Sequence, residues 1–311
     1  MKIAYSCNDY YIPQTGISMI SLCENNKDAD DIVIYFIGVD VSEVNINSLR
    51  NIADQYKRKF VYIPFDSIAY DLNISAIGRH IKTIYTKVFF SRIEGLDKII
   101  YLDSDTIVNG SLKPLWDDDI SKVYMGVVQT CTKANKALGM PDEMPFFNDG
   151  MAIVNVDFCR ENGLIQKVLD VVKYYNGNPP VLSEGALNKV CMGNVKYISP
   201  RWNMMAGVLY FGLLNIKKLQ ESLDQYSLED LSESCKSPVV IHYLTAFYNR
   251  PWFTPCTHPY KDRYYYYQSL SPWKDVKPTL KPLPLRIKAI DYCYRYLGVS
   301  ITNAIRKVMK N

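Results

Sequence analysis

The chain has 311 residues, 48% of them hydrophobic and 22% charged, with a net charge of +4. That balance supports a sizeable core and excludes disordered, collagenous and low-complexity chains. No window reaches about 18 uncharged apolar residues, so no membrane-spanning helix is expected.

Residues 2–6 read as a short apolar strand, with turn chemistry at Asn8-Asp9. The start has no charged n-region, long apolar stretch or small-residue cleavage site, so secretion is not expected. Residues 17–22 have helical spacing, and 32–39 form a β-branched run of buried-strand length. A helix is predicted over 49–56, a strand over 60–64 and another helix over 83–93. The strand at 98–102 runs into Asp103-Ser104-Asp105. Strands separated by helices imply an α/β fold with a mostly parallel sheet covered on both faces. Ligands of such sheets bind beyond the carboxyl ends of the strands, here residues 6–11 and 103–105. Further strands are expected near 123–128, 151–156 and 239–243, with a helix over 164–175.

Residues 251–283 change character, with repeated prolines and the block Tyr264-Tyr265-Tyr266-Tyr267. Helical spacing returns over 284–310. From Lys274 onward nine Lys or Arg face two Asp, a net of +7 that leaves −3 for the rest. The positive charge thus belongs to the tail, which argues against a nucleic-acid-binding face. Eight cysteines are scattered with no Cys-x-x-Cys pair, which suits a reducing compartment and a cytoplasmic protein.

Asp103 and Asp105 are the sharpest chemical feature. Two carboxylates two residues apart, at the end of an apolar strand, can aim at one hard dication such as Mg²⁺ or Mn²⁺, which in turn bridges phosphate oxygens. His242 follows the apolar run 238–241, and an imidazole beside two carboxylates favours Mn²⁺. Arg250 can hold a diphosphate through its two-pronged guanidinium.

Several segments together resemble the retaining glycosyltransferases of family 8, which have the GT-A fold and include bacterial lipopolysaccharide galactosyl- and glucosyltransferases. They are Ile3-Ala4-Tyr5-Ser6 with Asn8-Asp9, Tyr101 to Thr106, and Leu112-Lys113-Pro114-Leu115-Trp116. The series continues with Phe147-Asn148-Asp149-Gly150-Met151, Glu184-Gly185-Ala186-Leu187-Asn188, and His242-Tyr243 with Arg250-Pro251-Trp252. The resemblance covers roughly residues 1–255, the expected GT-A catalytic domain. Residues 256–283 would be a Pro/Tyr-rich connector and 284–311 a basic amphipathic tail.

The resemblance implies that Asp103, Asp105 and His242 ligate Mn²⁺, with Mg²⁺ as the alternative, bridging the phosphates of a UDP-sugar. It implies nucleotide contacts from Ser6, Asn8, Tyr11 and Ser104, with Tyr11 stacking on the base. Arg250 and the backbone at Thr245 would meet the diphosphate, while Asn148, Asp149 and Gly150 would lie along the donor sugar. Three positions depart from the family pattern. Lys87 stands where an Arg is usual, Ser183-Glu184 replaces an Asp-Gln or Glu-Gln pair, and Asp149 replaces a small residue. Glu184 is the candidate nucleophile if one exists, although same-face attack guided by the leaving phosphate is the favoured route. Arg79-His80 matches a stretch on the acceptor side.

The implied activity is transfer of a galactose or glucose from UDP to a saccharide or glycolipid acceptor in bacterial surface polysaccharide synthesis. The tail interleaves Leu285, Ile287, Ile290, Leu297, Ile301, Ile305 and Val308 with Arg286, Lys288, Arg295, Arg306, Lys307 and Lys310. That pattern suits a helix on an anionic membrane surface, which would make the protein peripheral on the inner face of the cell membrane. Two other classes share some features: a nucleotidyltransferase and a non-catalytic carbohydrate-binding protein. The first usually has a Gly-rich, basic loop after its first strand, where residues 6–16 offer only Gly16.

Overall fold

A computed structural model describes residues 1–29, 31–73 and 79–308, the side chains of residues 79–81, 307 and 308 excepted. Twelve strands are present among these residues: β1 (Lys2–Asn8), β2 (Val33–Val39), β3 (Lys59–Pro64), β4 (Lys98–Asp103), β5 (Thr106–Val108) and β6 (Met125–Gln129); then β7 (Phe147–Asn155), β8 (Val195–Tyr197), β9 (Met204–Met205), β10 (Val240–His242), β11 (Phe253–Thr254) and β12 (Thr279–Leu280). The main sheet has the order β3-β2-β1-β4-β7-β6-β8. The first four of these are parallel, whereas β7 runs antiparallel to both β4 and β6.

Alternation along β4 divides its side chains between two cores. Ile100 and Leu102 join Ile3, Tyr5 and Phe36 under the helices Ile12–Asn25 and Glu43–Gln55. Ile99 and Tyr101 face the other way, onto Phe89, Phe90 and the helices Leu164–Tyr174 and Leu182–Cys191. Each fully buried Ile or Leu contributes roughly 1.5–3 kcal/mol, which is why the apolar strand runs predict this two-faced burial.

The helix expected over 83–93 ends earlier. An α-helix covers Arg79–Ile84, and Thr86–Arg92 is wound in tighter 3-10 turns. Thr86, Lys87, Val88, Phe89 and Phe90 are all buried in succession. A consecutive buried run fits no single helix face, and β-branched and aromatic residues disfavour an extended α-helix.

Beyond residue 255 the chain stays packed on the main body. The helix Lys261–Ser269 buries Tyr264 and Tyr267, and Tyr267 Oη accepts a 2.6 Å hydrogen bond from Asn25 Nδ2. β12 pairs with β11. The final helix, Leu285–Val308, kinks at Gly298, whose φ of 78° is open to glycine. Tyr294 in this helix is buried against Tyr210, Phe211 and Phe247.

Candidate active site

Two strand ends and one tight turn create the site. β1 and β4 run side by side with Ser6 opposite Asp103, so both chains leave the sheet at the same edge. The chain then turns through Ser104 and Asp105 into β5, which pairs with β10 so that Thr106 faces His242. A 2.8 Å hydrogen bond from Thr106 Oγ1 to the Asp103 carbonyl and one of 2.9 Å from Tyr243 N to the Asp105 carbonyl close this corner. His242 is thereby brought to two carboxylates about 140 positions away, and ligand atoms of Asp103, Asp105 and His242 lie within 4.8 Å of one another.

His242 Nε2 is 3.0 Å from Asp105 Oδ1 and 3.7 Å from Asp103 Oδ2. On the other side of the ring, Nδ1 is 2.9 Å from Asn203 Oδ1, while Asn203 Nδ2 donates to Asn148 Oδ1 at 2.9 Å. That amide orientation requires His242 Nδ1 to donate, which leaves Nε2 to a proton or a cation. Burial alone would lower the His242 pKa, but Asp105 and Asp103 outweigh it and raise it. Burial also disfavours charge on Asp105, yet His242 and Arg250 hold its carboxyl down at about 2. Asp103 moves upward, driven by burial against the opposing charges of Lys87 and His242. Two oxygen donors and one imidazole nitrogen with a fixed tautomer form a donor set for a divalent ion.

Gly150 makes this proximity possible. A Cβ there would sit 2.4 Å from both Asp103 Oδ2 and His242 Cε1, closer than any side chain tolerates.

Arg250 donates to Asp105 Oδ2 at 3.0 Å, to Tyr11 Oη at 3.1 Å and to the Tyr243 carbonyl at 3.0 Å. Of the residues expected to meet the nucleotide and diphosphate, Arg250 and Tyr11 touch each other, as do Ser6 and Ser104. Ser6 and Ser104 are buried, and their hydroxyls bond to Thr86 and to the Ser6 carbonyl. Asn8 accepts from Tyr10 N and caps the short turn that carries Tyr11. Thr245 is exposed in the loop after His242.

A second polar cluster adjoins the first. Lys87 Nζ donates to Asp149 through its carbonyl oxygen at 2.8 Å and its Oδ2 at 3.1 Å, and lies 4.5 Å over the Tyr101 ring. Tyr101 Oη donates to Asp103 Oδ1 at 2.7 Å. Ser183 Oγ donates to Asp149 Oδ2 at 2.8 Å, and Asn148 Nδ2 to Glu184 Oε2 at 2.7 Å. Burial, followed by the Asp149 charge, raises the Glu184 pKa to about 8. The helix bearing Ser183 and Glu184 begins at Val181 and Leu182, both with positive φ, a strained entry that a β-branched residue rarely adopts. Asn188 locks this helix to β7 by bonding both the N–H and the carbonyl of Phe147 at 2.9 Å.

Asn203, Tyr101 and Asn188 are therefore site residues that sequence reasoning misses. Their side chains act only across long-range contacts, and no local spacing marks them. Asn203 is fully buried, a signal that exists only once the fold is known. The Arg79 and His80 side chains, expected toward the acceptor, lie outside the described residues.

The site is thus a metal-capable carboxylate–imidazole cluster at the carboxyl edge of a mixed α/β sheet, with a second carboxyl cluster beside it. The chain belongs to glycosyl transferase family 8, whose family model matches residues 2–255. Among curated relatives it is similar to general stress protein A of Bacillus subtilis, at 22% identity over 284 residues, covering 89% of this chain and 96% of that one. It is also similar to the lipopolysaccharide 1,2-glucosyltransferase of Escherichia coli, at 20% identity over 285 residues, covering 89% and 80%. The fold matches the crystal structure of the galactosyltransferase LgtC in complex with donor and acceptor sugar analogs. The TM-score is 0.69 at 21% identity, with 93% of this chain and 99% of that chain covered. The protein is thus a glycosyltransferase with the GT-A fold, which sets aside the nucleotidyltransferase and the non-catalytic readings.

Proposed function

We propose that this enzyme transfers a hexose, galactose or glucose, from a UDP-sugar to a saccharide or glycolipid acceptor, with retention of anomeric configuration and with Mn²⁺. The observation that carries this is the Asp103–Asp105–His242 cluster, with its fixed imidazole tautomer and Arg250 alongside. Asp103, Asp105 and His242 would hold the dication, and a bound dication supplies Lewis-acid stabilisation of charge on the departing diphosphate. Arg250, held by Asp105 and the Tyr243 carbonyl, adds a fixed positive charge on the same side. Tyr11 and Asn8 bind the uridine end, with the Ser6 and Ser104 corner and the Thr245 backbone completing that wall.

Asn148, Asp149 and Gly150 line the donor sugar. The opposite half of the transition state is positive and oxocarbenium-like, and a carboxylate stabilises it. Asp149, ion-paired with Lys87, supplies that charge. Glu184 is bonded to Asn148 and holds its proton up to about pH 8. A neutral carboxyl is a poor nucleophile, which supports same-face attack over a covalent intermediate at neutral pH.

Membrane association belongs to the same proposal. Leu285, Tyr292, Tyr296 and Ile301 on the last helix are exposed, near Arg286 and Lys288. No helix among the described residues is long and apolar enough to cross a membrane, so attachment would be peripheral, on the inner face of a bacterial membrane where a lipopolysaccharide, O-antigen or capsule precursor resides. UDP release from a panel of UDP-sugars, with Mn²⁺ and then with excess EDTA, tests the reading. Turnover is expected with a UDP-hexose and Mn²⁺, and Asp103→Asn and Asp105→Asn should each abolish it. Full activity in EDTA or in both variants would refute the metal assignment.

A further inference from the structure

The cluster around Asp149 has one acceptor left over. Asp149 is buried, and its Oδ2 accepts from both Lys87 Nζ and Ser183 Oγ. Its Oδ1 has no hydrogen-bond partner among the described residues, whereas the Glu184 carboxyl is bound both by Asn148 Nδ2 and by the Asp149 backbone. The basic groups of the site are already engaged: Lys87 with Asp149, Arg250 with Asp105, and His242 with Asp105. One oxygen of Asp149 is therefore left over, and Lys87, Arg250 and His242 are all already paired.

From this geometry we infer that Asp149 determines donor specificity. Its Oδ1 anchors a hydroxyl of an uncharged hexose, and the same carboxyl group excludes donor sugars that carry a carboxylate. This rests on the UDP-hexose reading above and names the class of sugar that the site accepts. A hydroxyl donates to Oδ1 without loss, whereas a uronate would set its carboxylate against that of Asp149 with no unpaired cation of the cluster to receive it. The geometry also makes the anchor exchangeable. Ser183 Oγ and Lys87 Nζ meet at the same oxygen, so a carboxylate on residue 183 and a hydroxyl on residue 149 keep the same partners together.

The test uses the full-length enzyme with Mn²⁺. Calorimetric binding of UDP, UDP-glucose, UDP-galactose, UDP-glucuronate and UDP-galacturonate is measured beside UDP release. Both uronates are expected to fall on the order of 100-fold below the better hexose donor in kcat/KM, the scale of an unpaired charge in a polar site. Asp149→Ser should lose about 10- to 100-fold in kcat/KM and in the affinity gained by adding hexose to UDP, with UDP affinity itself unchanged. The exchange variant carrying Asp149→Ser and Ser183→Asp should recover most of that loss, which a merely structural role for Asp149 would not predict. Uronate donors used as well as hexoses overturn the inference. So does an exchange variant that binds UDP and melts like wild type yet is no better than Asp149→Ser. The uronate comparison needs only wild-type protein, so the inference stays falsifiable if Asp149→Ser fails to fold. Wild-type protein that turns over no UDP-hexose would overturn the transferase reading itself, and this inference with it.

Discussion

Nδ1 of His242 and Oδ1 of Asn203 lie 2.9 Å apart, and this contact decides which imidazole nitrogen faces Asp103 and Asp105. With Nδ1 donating, Nε2 is the nitrogen available to a metal. Asn203 is itself fixed by donating to Asn148, which in turn donates to Glu184, so the His242 and Glu184 clusters share one amide relay.

Asn203→Leu should therefore weaken Mn²⁺ binding by about 10- to 100-fold, the usual cost of losing a partner that orients a ligating His. Calorimetric titration with Mn²⁺ measures it directly. Affinity equal to wild type would mean that the ring is held by packing alone.

Gly150→Ala tests the close approach at the centre of the site. The added methyl would lie 2.4 Å from Asp103 Oδ2 and from His242 Cε1, so Asp103 and His242 must separate. Turnover should fall by at least about 100-fold, as expected when reacting groups are displaced by roughly 1 Å. Far-ultraviolet circular dichroism should be unchanged. Normal Mn²⁺ binding by this variant would show that the pair can spread without loss.

Glu184 links the site to stability. Its carboxyl titrates at about 8 in the folded protein against 4.5 ordinarily. Between these values the folded state binds a proton that the unfolded state has released, so this group's contribution to stability falls as pH rises from 4.5 to 8 and is level above. Glu184→Gln removes that penalty. Measured without metal or nucleotide, the melting-temperature gain of the variant over wild type should be near zero at pH 4.5 and grow to a plateau above pH 8. A pH-independent difference would contradict the assigned shift.

The last helix buries Tyr294 and exposes Leu285, Tyr292 and Tyr296. Tyr294 is buried beside Phe247 and Phe211, and Tyr294→Ala should destabilise the protein by about 3–5 kcal/mol, the scale for deleting a large buried aromatic side chain. Replacing exposed Leu285, Tyr292 and Tyr296 by Ser should leave the melting temperature within a few degrees. Those replacements should remove salt-sensitive binding to vesicles of anionic lipid, measured by co-sedimentation. Equal sedimentation of wild type and variant would eliminate the membrane role and leave packing as the helix's only function.

Strand cores and the acidic turn were legible from the chain alone. Ile99-Ile100-Tyr101-Leu102 is apolar at every position because the strand is buried on both faces. The rule that ligands sit beyond strand ends then marks Asp103 and Asp105. His242 and Arg250 gained their meaning from the order of motifs, since nothing local separates a ligating imidazole from one buried in a core. Tertiary structure decided the rest. Lys87 reads in the sequence only as a Lys where the family usually has an Arg, and the fold shows its ammonium held by Asp149 and the Tyr101 ring. The 86–92 segment is wound into 3-10 turns by burial of five consecutive residues. Asn203 becomes part of the site only through β9, which lies beside β10 and is two residues long. Periodicity reports which way a side chain faces within its own element. Which partner it meets is set by the packing of elements far apart in the chain, and the raised pKa values of Glu184 and His242 follow from those surroundings.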